Sequence, residues 1–546
     1  MANTWISRAT GEKRMYIKKV VIQNYRCLRN SQVALNPRLN ILVGDNECGK
    51  STLLEAINLA LTGQLNGRSL LQELHPHLVN RDAVNKYVTA LKAGKPAPPP
   101  GISIELFFGD DTELAQFKGI NNSDKADTYG VKLSIEYHDS FATDYAAYIK
   151  DPMAVRTVPI EYYRAAWTGF DGNTCYPRDI LIHPKLIDAS QISGNVYATR
   201  YLVNAVKETL DKPEQIDVGL AYRLMKEAFG DDPRVKKIND GLAAKKDPVT
   251  NKVLSIALDT TARGGWDSGI MPMLDDIPLP LVGKGEQNSV NLRIAMEKAK
   301  SSHIFLIEEP ESHQSPTNLA RLIGQIDEKR GDRQVLAVTH SSFVLNKLGI
   351  EGVHLFHNGK STTLAGLSAD TQKYFKKLPG YDTLRLVLAR KAILVEGPSD
   401  ELIVQRAYKQ LKGKTSMEDG VDVIEVGSLA FRRFLEIAAI LGNPVAVVTD
   451  NDGDVKALEE KYAAFKGVAN INICYSDDES RKTLEPQLVA STGAEIVEKI
   501  LGREFDNEGA LIAWMTKSAN KTDCALKFFE TNIDWKVPEY IARAIG

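Results

Sequence analysis

The chain lacks any apolar run near the ~20 residues needed to cross a bilayer. Its best candidate, residues 434–448, is broken by Gly442-Asn443-Pro444. Residues 1–14 hold no apolar signal core, so neither a membrane partner nor a secretion address is expected. Cysteine is scarce and scattered: Cys27, Cys48, Cys175, Cys474 and Cys524 form no C-x-x-C pair for zinc and no disulfide framework. A reducing, cytoplasmic setting is the expectation. A net charge of −2 gives no global positive field, so nucleic acid would have to be met by local patches such as Lys376-Lys377, Arg390-Lys391 or Arg432-Arg433. Taken singly, each of these reads as a solvated face. Internal repeats and low-complexity segments are absent too. What remains is an ordinary globular composition, 43% apolar and 25% charged, over 546 residues. That length exceeds one core and suggests about three to four units.

Against this plain background, Gly44-Asp45-Asn46-Glu47-Cys48-Gly49-Lys50-Ser51 fits the phosphate-binding pattern G-x-x-x-x-G-K-S/T. Residues 38–43 read as the strand entering it, and residues 52–61 as the helix leaving it, with Gly63 placed to stop that helix. In this frame the backbone N–H groups from Asn46 through Gly49 to Thr52 would cradle phosphates at a helix N-terminus. Lys50 would reach the β- and γ-phosphates of ATP, and Ser51 would hold Mg²⁺. A chance glycine turn lacks the flanking strand and helix.

A second strand pattern, residues 304–307, delivers Glu308-Glu309. The first acid would join the Mg²⁺ shell and the second would orient or deprotonate the attacking water. Residues 335–338 form a further strand leading to Thr339-His340, where a histidine can contact the γ-phosphate; taken alone such a histidine is more often structural, but its place after the two acids favours the contact. Gly283-Lys284-Gly285-Glu286 precedes a helix expected near Val290, a weak anion-site signal on its own. Strand, phosphate loop, glycine turn, double acid and terminal histidine, in that order, resemble the ABC-type ATPases of the SMC and recombination branch. The resemblance implies that Gly285 of one subunit covers nucleotide held by another. Two departures stand out. The family's turn opens Leu-Ser-Gly-Gly, unlike this one, and Gln191 is only a candidate for its glutamine loop.

A second chemistry appears later. Residues 392–395 run into Glu396-Gly397-Pro398-Ser399-Asp400, and residues 445–449 into Asp450-Asn451-Asp452-Gly453-Asp454. Acids at the ends of parallel strands sit on the rim where open α/β sheets bind ligands. Such a cluster cannot stay ionised and close-packed without cations, so divalent metal is expected. A calcium loop of D-x-D/N-x-D/N-G-x5-E type is excluded, because Val455 replaces its glycine and Lys461 its glutamate. These acids resemble a Toprim domain over residues 391–546. Downstream lie Thr483-Leu484-Glu485-Pro486 and, opening an amphipathic helix, Asn520-Lys521-Thr522-Asp523.

The whole assembly resembles the overcoming-lysogenisation-defect (OLD) family of nucleases. The resemblance implies metal ligation by Glu396, Asp400, Asp450, Asp452 and Glu485, with Asp454 assisting and Lys521 as catalytic lysine; Lys517 is its neighbour and alternative. It implies a DNA endonuclease or nickase using ATP and two Mg²⁺ or Mn²⁺ ions, dimerising through its ATPase half and serving anti-phage defence. Some relatives work beside a helicase, or a reverse transcriptase with its DNA product, and nothing in this sequence chooses. The expected fold is α/β: an ABC-type ATPase over residues 1–186 and 259–385, a helical dimerisation insertion over 187–258, and a Rossmann-like Toprim domain over 386–546. The alternative function is a repair or recombination clamp whose Toprim module does not cut. A topoisomerase would need a nucleophilic tyrosine in a recognisable partner domain, and a primase a zinc motif with a polymerase domain.

Overall fold

The structure, a computed structural model, describes residues 15–44, 47–95, 97–188, 203, 206–207, 210–244, 252–259, 265–298, 302–329, 331–341, 344, 352–357, 360–363, 366–377, 385–387, 389–427 and 430–546. Asn46, Gln191, most of residues 201–210 and the polar linker 378–384 lie outside these. Among the described residues no helix is long and apolar enough to cross a membrane.

The chain opens on an antiparallel hairpin, β1 (Ile17–Tyr25) and β2 (Leu28–Ala34), then enters β3 (Leu39–Gly44) and α1 (Lys50–Thr62). Strands β4 (Ile102–Phe108), β5 (Thr128–Tyr137) and β6 (Tyr163–Gly169) join the hairpin in an antiparallel sheet ordered β6–β5–β4–β1–β2. A second sheet collects β3 with β7 (Pro184–Asp188), β8 (Ile304–Glu308), β9 (Gln334–Val338), β10 (Val353–His357) and β11 (Lys360–Thr363), in the order β7–β8–β9–β3–β10–β11. All pairs but β10–β11 are parallel. Strand β7 runs to Asp188, two residues past the expected edge of the first ATPase segment.

Helix α1 buries Leu53, Leu54, Ala56, Ile57, Leu59, Ala60 and Leu61. Apolar residues on almost every side mean a helix covered on both faces, and it lies between the two sheets. It ends where the sequence places its stop: Gly63 has φ 67° and its N–H donates to the Leu59 carbonyl. The sheets are also joined by one amide. Gln334, 1% exposed, accepts from the Ile17 N–H at 2.9 Å and donates to the Ile17 and Asn36 carbonyls, each at 2.8 Å.

Among the described residues between β7 and β8 are the helices α2 (Lys212–Asp231) and α3 (Pro233–Ala244), a single turn at Trp266–Gly269, and α4 (Lys284–Lys298). Helix α2 has no buried residue along its 20 positions. Helix α4 starts six residues before the expected Val290, so Gly285 belongs to its first turn. The Glu286 and Gln287 N–H groups already bond the Gly283 carbonyl.

The C-terminal unit is a parallel sheet ordered β13–β12–β14–β15. It runs β12 (Lys391–Val395), α5 (Pro398–Lys412), β13 (Val421–Glu425), α6 (Phe431–Leu441), β14 (Val445–Val448), α7 (Val455–Tyr462), β15 (Ile471–Cys474), α8 (Leu484–Thr492), α9 (Ser518–Glu530) and α10 (Glu539–Ile545). One apolar cluster crosses from the ATPase sheet into this unit. It contains Ile41 and Val43 of β3, Leu355 of β10, Leu394 of β12, Val447 of β14 and Phe431 and Leu435 of α6. The two α/β units therefore share a core instead of meeting only through the linker.

Gln334→Leu removes all three of its bonds and strands buried backbone groups, each costing about 1–3 kcal/mol. Urea unfolding should show a loss of at least ~2 kcal/mol; an unchanged midpoint would show that the amide does not hold the sheets together.

Candidate nucleotide and metal sites

The first site follows from β3. Its side chains are buried on both faces, as in a parallel sheet covered on both sides; its polar Asn40 is buried against His354, and ligand-facing groups emerge past Gly44. Gly49 caps α1 with φ 105°, and a Cβ there would come within 2.5 Å of Leu28. Gly44 is as confined, since a Cβ would meet the Phe356 carbonyl oxygen at 2.2 Å. Only glycine fits these two positions, leaving the loop's N–H groups and the α1 N-terminus to form an anion cradle. Lys50, 5% exposed, folds its Nζ back onto the Gly44 carbonyl at 2.9 Å. Thr52 contacts Cys27 Sγ through Oγ1 at 3.4 Å.

Parallel pairing places the remaining parts. Glu308 stands opposite Val338, and Val338 opposite Leu42, so the ends of β8, β9 and β3 share one rim. Burial raises the Glu308 carboxyl above its ordinary value; a hydrogen bond from Ser51 opposes this, and the charges of Asp188, Glu309 and Glu55 add to it. Ser51 and Glu308, 257 positions apart in sequence, are thus brought together, and an acid beside the loop's hydroxyl suits a Mg²⁺ ion. Glu309 takes φ 45°, its N–H donates to the Val338 carbonyl at 3.0 Å, and Ser312 Oγ donates to its Oε2 at 2.9 Å. His313 is also left-handed, at φ 61°. Two such non-glycine residues cost of order 1–3 kcal/mol each and cluster at functional loops.

Glu311 was not foreseen as an organiser. It accepts from Thr339 Oγ1 at 2.8 Å and from the His340 N–H at 2.6 Å, so it sets the backbone where His340 leaves β9. Its other oxygen is buried with no hydrogen-bond partner among the described residues. Gly285 packs on this same loop: a Cβ there would lie 2.4 Å from the His313 carbonyl oxygen, and Gln314 Nε2 donates to the Gly285 carbonyl at 2.6 Å.

The second site forms at the rim of β12 and β14. Glu396 Oε1 accepts from Thr449 Oγ1 at 2.5 Å and from the Asp450 N–H at 3.2 Å, which ties the two strand ends. Asp400 Oδ2 accepts from the Gly397 N–H at 3.1 Å, capping α5. Glu485, at the start of α8, is 4% exposed; its Oε1 lies 3.0 Å from Lys521 Nζ on α9, and its Oε2 accepts from Thr483 at 2.8 Å. Lys521 is therefore the lysine placed among the acids. Lys517 caps α9 from outside.

The charges confirm how crowded this rim is. Burial, then Glu396 and Glu485, pushes Asp400 up to about 7, with Lys521 opposing. Burial, then Asp400, Glu396 and Glu485, pushes Asp450 up to about 8, again against Lys521. Burial alone would lower Lys521, but its Glu485 bond and the charges of Glu485, Asp450 and Asp400 raise it. Buried Tyr540 on α10 feels the same four carboxylates after its own burial, which sets that helix beside the cluster.

Asp452 is exposed, with φ 49°, and Asp454 caps α7 by accepting from the Ala457 N–H at 2.9 Å. Among the described residues no three acidic, histidine or cysteine side chains already stand as a metal-holding group. Three of the acids are turned toward protein partners: Glu396 toward Thr449 and the Asp450 N–H, Asp400 toward the Gly397 N–H, and Glu485 toward Lys521 and Thr483. The donor set, all carboxylate, matches hard divalent cations. Sequence reasoning missed Asn451, 2% exposed, whose Oδ1 accepts from the Gly453 N–H at 3.0 Å and so shapes the acidic loop. Its position between two aspartates was the only available signal.

Three family models match stretches of the chain. Residues 387–452 match the overcoming lysogenization defect protein-like TOPRIM domain, and residues 19–141 match an AAA domain. Residues 224–346 match a second AAA-domain model, named for AbiEii toxins of type IV toxin–antitoxin systems. The chain has the OLD architecture. An ATPase precedes a TOPRIM domain, and domains of these two kinds use ATP and divalent metal. Among curated proteins, structural maintenance of chromosomes protein 6 of Saccharomyces cerevisiae is 40% identical over 62 residues, 11% of this chain and 6% of that protein. DNA replication and repair protein RecF of Ruminiclostridium cellulolyticum is 40% identical over 60 residues, 11% of this chain and 16% of that protein. The OLD-type chain thus spans only a small part of either relative. Among solved structures, the SMC head domain from Thermotoga maritima is 16% identical, covering 63% of this chain and 97% of its own, with a TM-score of 0.30. The recombination mediator RecF is 13% identical, covering 64% and 99%, with a TM-score of 0.32.

The raised carboxyls carry a sign for stability. Folded Asp400 and Asp450 hold protons that the unfolded chain releases near pH 4, so folding binds protons between about pH 4 and 8 and stability falls as pH rises through that window. In EDTA, melting temperature should drop more from pH 5.5 to 8 for the wild type than for Asp450→Asn, and Mg²⁺ should close the gap. Parallel pH profiles for the two proteins in EDTA would refute the crowding.

Proposed function

We propose that the chain is an ATP-binding and ATP-hydrolysing, divalent-metal-dependent DNA endonuclease or nickase that acts in anti-phage defence. The observation that best supports cutting is Lys521 held 3.0 Å from Glu485, inside a cluster whose other acids end two parallel strands. Glu396, Asp400, Asp450, Asp452 and Glu485 would hold two Mg²⁺ or Mn²⁺ ions once their internal bonds are exchanged. Such ions supply an activated water and support for the leaving 3′-oxygen. Lys521 would face charge developing on the phosphorus, where a preorganised cation counts most.

At the other site, Asn46, Gly49, Lys50, Ser51 and Thr52 would cradle the triphosphate of ATP, with Ser51 and Glu308 holding its Mg²⁺. Glu309 would orient the attacking water, His340 would meet the γ-phosphate, and Gly285 would cover nucleotide bound to a second copy. Self-association has its own support in α2, where Ile216, Leu220 and Leu224 repeat every four residues and stay 68%, 54% and 56% exposed. An apolar stripe of that kind marks an interface, and a homodimer would cover it. The defence role rests on the family architecture, which also brings a helicase, or a reverse transcriptase with its DNA product, as the partner class.

Supercoiled plasmid incubated with the protein and Mg²⁺ or Mn²⁺ is the direct test. Nicked or linear product supports the nuclease; a covalent protein–DNA adduct would point to a topoisomerase, and intact but bound plasmid to a clamp. Glu396→Ala, Asp450→Ala and Lys521→Ala should each abolish cutting, and calorimetry should show lost metal binding for the first two only. Equal metal affinity in all three would sink these roles.

Lys50→Ala should abolish ATP binding, whereas Glu309→Gln should keep binding and block turnover. Normal hydrolysis by both would displace the nucleotide site. Nucleotide state is expected to gate cutting through the shared core, by a coupling of about 1–3 kcal/mol or ~5- to 150-fold. Cleavage rates of wild type and Glu309→Gln with ATP, ADP or neither, at matched free Mg²⁺, decide this. Equal rates throughout would leave two independent enzymes on one chain.

A further inference from the structure

The loop from β15 to α8 runs beside the loop that carries Asp450 and Asp452. Asn451 pins it by donating from Nδ2 to the carbonyls of Ser476, at 2.8 Å, and Asp478, at 2.9 Å. The Asp452 N–H adds a bond to the Lys482 carbonyl at 3.2 Å. Two cations sit on this pinned loop. Arg481 is neutralised by Asp478 at 2.9 Å. Lys482 forms no ion pair among the described residues, although Asp452, Asp454, Asp477, Asp478 and Glu479 lie on the same two loops.

Its side chain is nevertheless placed. A Cβ on Gly453 would meet Lys482 Cε at 2.8 Å, Cδ at 3.1 Å and Cγ at 3.3 Å, so the aliphatic stem lies flat across that glycine. Gly453 is left-handed, at φ 83°, and its lack of a side chain is what lets the stem settle there. The stem is held and the residue remains exposed, which is how a lysine covers a surface while keeping its charge in water. Lys521, by contrast, is turned inward on Glu485. A polyanion approaching this rim meets a crowd of carboxylates, and Lys482 stands beside them without an ion pair among the described residues.

We propose that Lys482 binds a backbone phosphate of the nucleic-acid strand, next to the phosphate being cut, and so positions the strand over the acids. The proposal rests on the nuclease reading of the TOPRIM site. A lysine is a point charge without base readout, so the contact is independent of sequence.

Full-length protein carrying Asp450→Asn, to prevent cutting, is titrated with a labelled duplex of about 30 base pairs in Mg²⁺ from about 50 to 200 mM salt. Adding Lys482→Ala should weaken binding to unrelated sequences alike and flatten the log–log salt slope by about 0.9. Lys482→Arg should restore the slope, as a retained charge predicts and a lost packing contact does not. An unchanged slope in Lys482→Ala overturns the proposal, even if cutting falls. Plasmid cutting by the wild type tests the underlying reading separately. A protein that cuts, with an unchanged slope, loses only the Lys482 contact. A protein that cuts nothing, yet shows the slope loss, keeps the contact and loses the nuclease. A wild type that binds no duplex overturns both.

Discussion

A parallel strand buried on both faces can carry a polar side chain only where a buried partner satisfies it, as Gln334 is satisfied by Ile17 and Asn36, so ligand-facing groups are left to the strand's end, and both sites follow from that constraint. Strand β3 is apolar from Ile41 to Val43 except for the flat run of its backbone bonds, and β12 is apolar from Ala392 to Val395. The first groups each strand can offer to a ligand lie past its C-terminal end. That is where the phosphate loop and Glu396 stand, and where neighbouring parallel strands deliver Glu308, His340 and Asp450. Sheet order then decides which of these distant residues meet. Because β9 sits between β8 and β3, the double acid and the phosphate loop share a rim across a strand that contributes His340. Because β12 and β14 are neighbours, Glu396 reaches Thr449 and the Asp450 backbone directly.

The shared core gives these two rims a physical relation. Val43 immediately precedes Gly44, whose carbonyl receives Lys50, and Leu394 lies two residues before Glu396. Both belong to one apolar cluster that also holds α6. Interiors are packed to near-crystal density and transmit displacement poorly by compression but well by shifts of whole elements. A change at the end of β3 therefore has a contiguous route toward β12 that does not depend on the linker.

Much of this was legible in the sequence, for reasons that differ by residue. The phosphate loop, α1 and its Gly63 stop were readable because a local pattern fixes each of them. Glu396 and Asp450 were singled out as acids at strand ends, Glu485 and Lys521 through the family resemblance, and the structure gathers them through non-local pairing. The start of α4 was misplaced because Gly283 and Gly285 read as a turn, whereas Gly285 is helical and small for a different reason, its close approach to His313. Glu311, Asn451 and Tyr540 were missed because their work is done through tertiary contacts that leave no periodicity. The seam between the two units was equally hidden, since its apolar residues read as ordinary strand and helix cores until the sheets are set side by side.

The acids' present partners have a consequence for metal. Glu396 is occupied by Thr449 and the Asp450 N–H, Asp400 by its own helix cap, and Glu485 by Lys521 and Thr483. A cation held by the proposed ligands would exchange those bonds and, where Asp400 and Asp450 are protonated, displace their protons, so part of its binding free energy would be consumed in rearrangement and proton release. The same exchange would free Lys521 from Glu485 and leave its ammonium available to a phosphate. On the proposed roles, metal entry and the readiness of the lysine would be one event, set by a single carboxylate that cannot serve both at full strength.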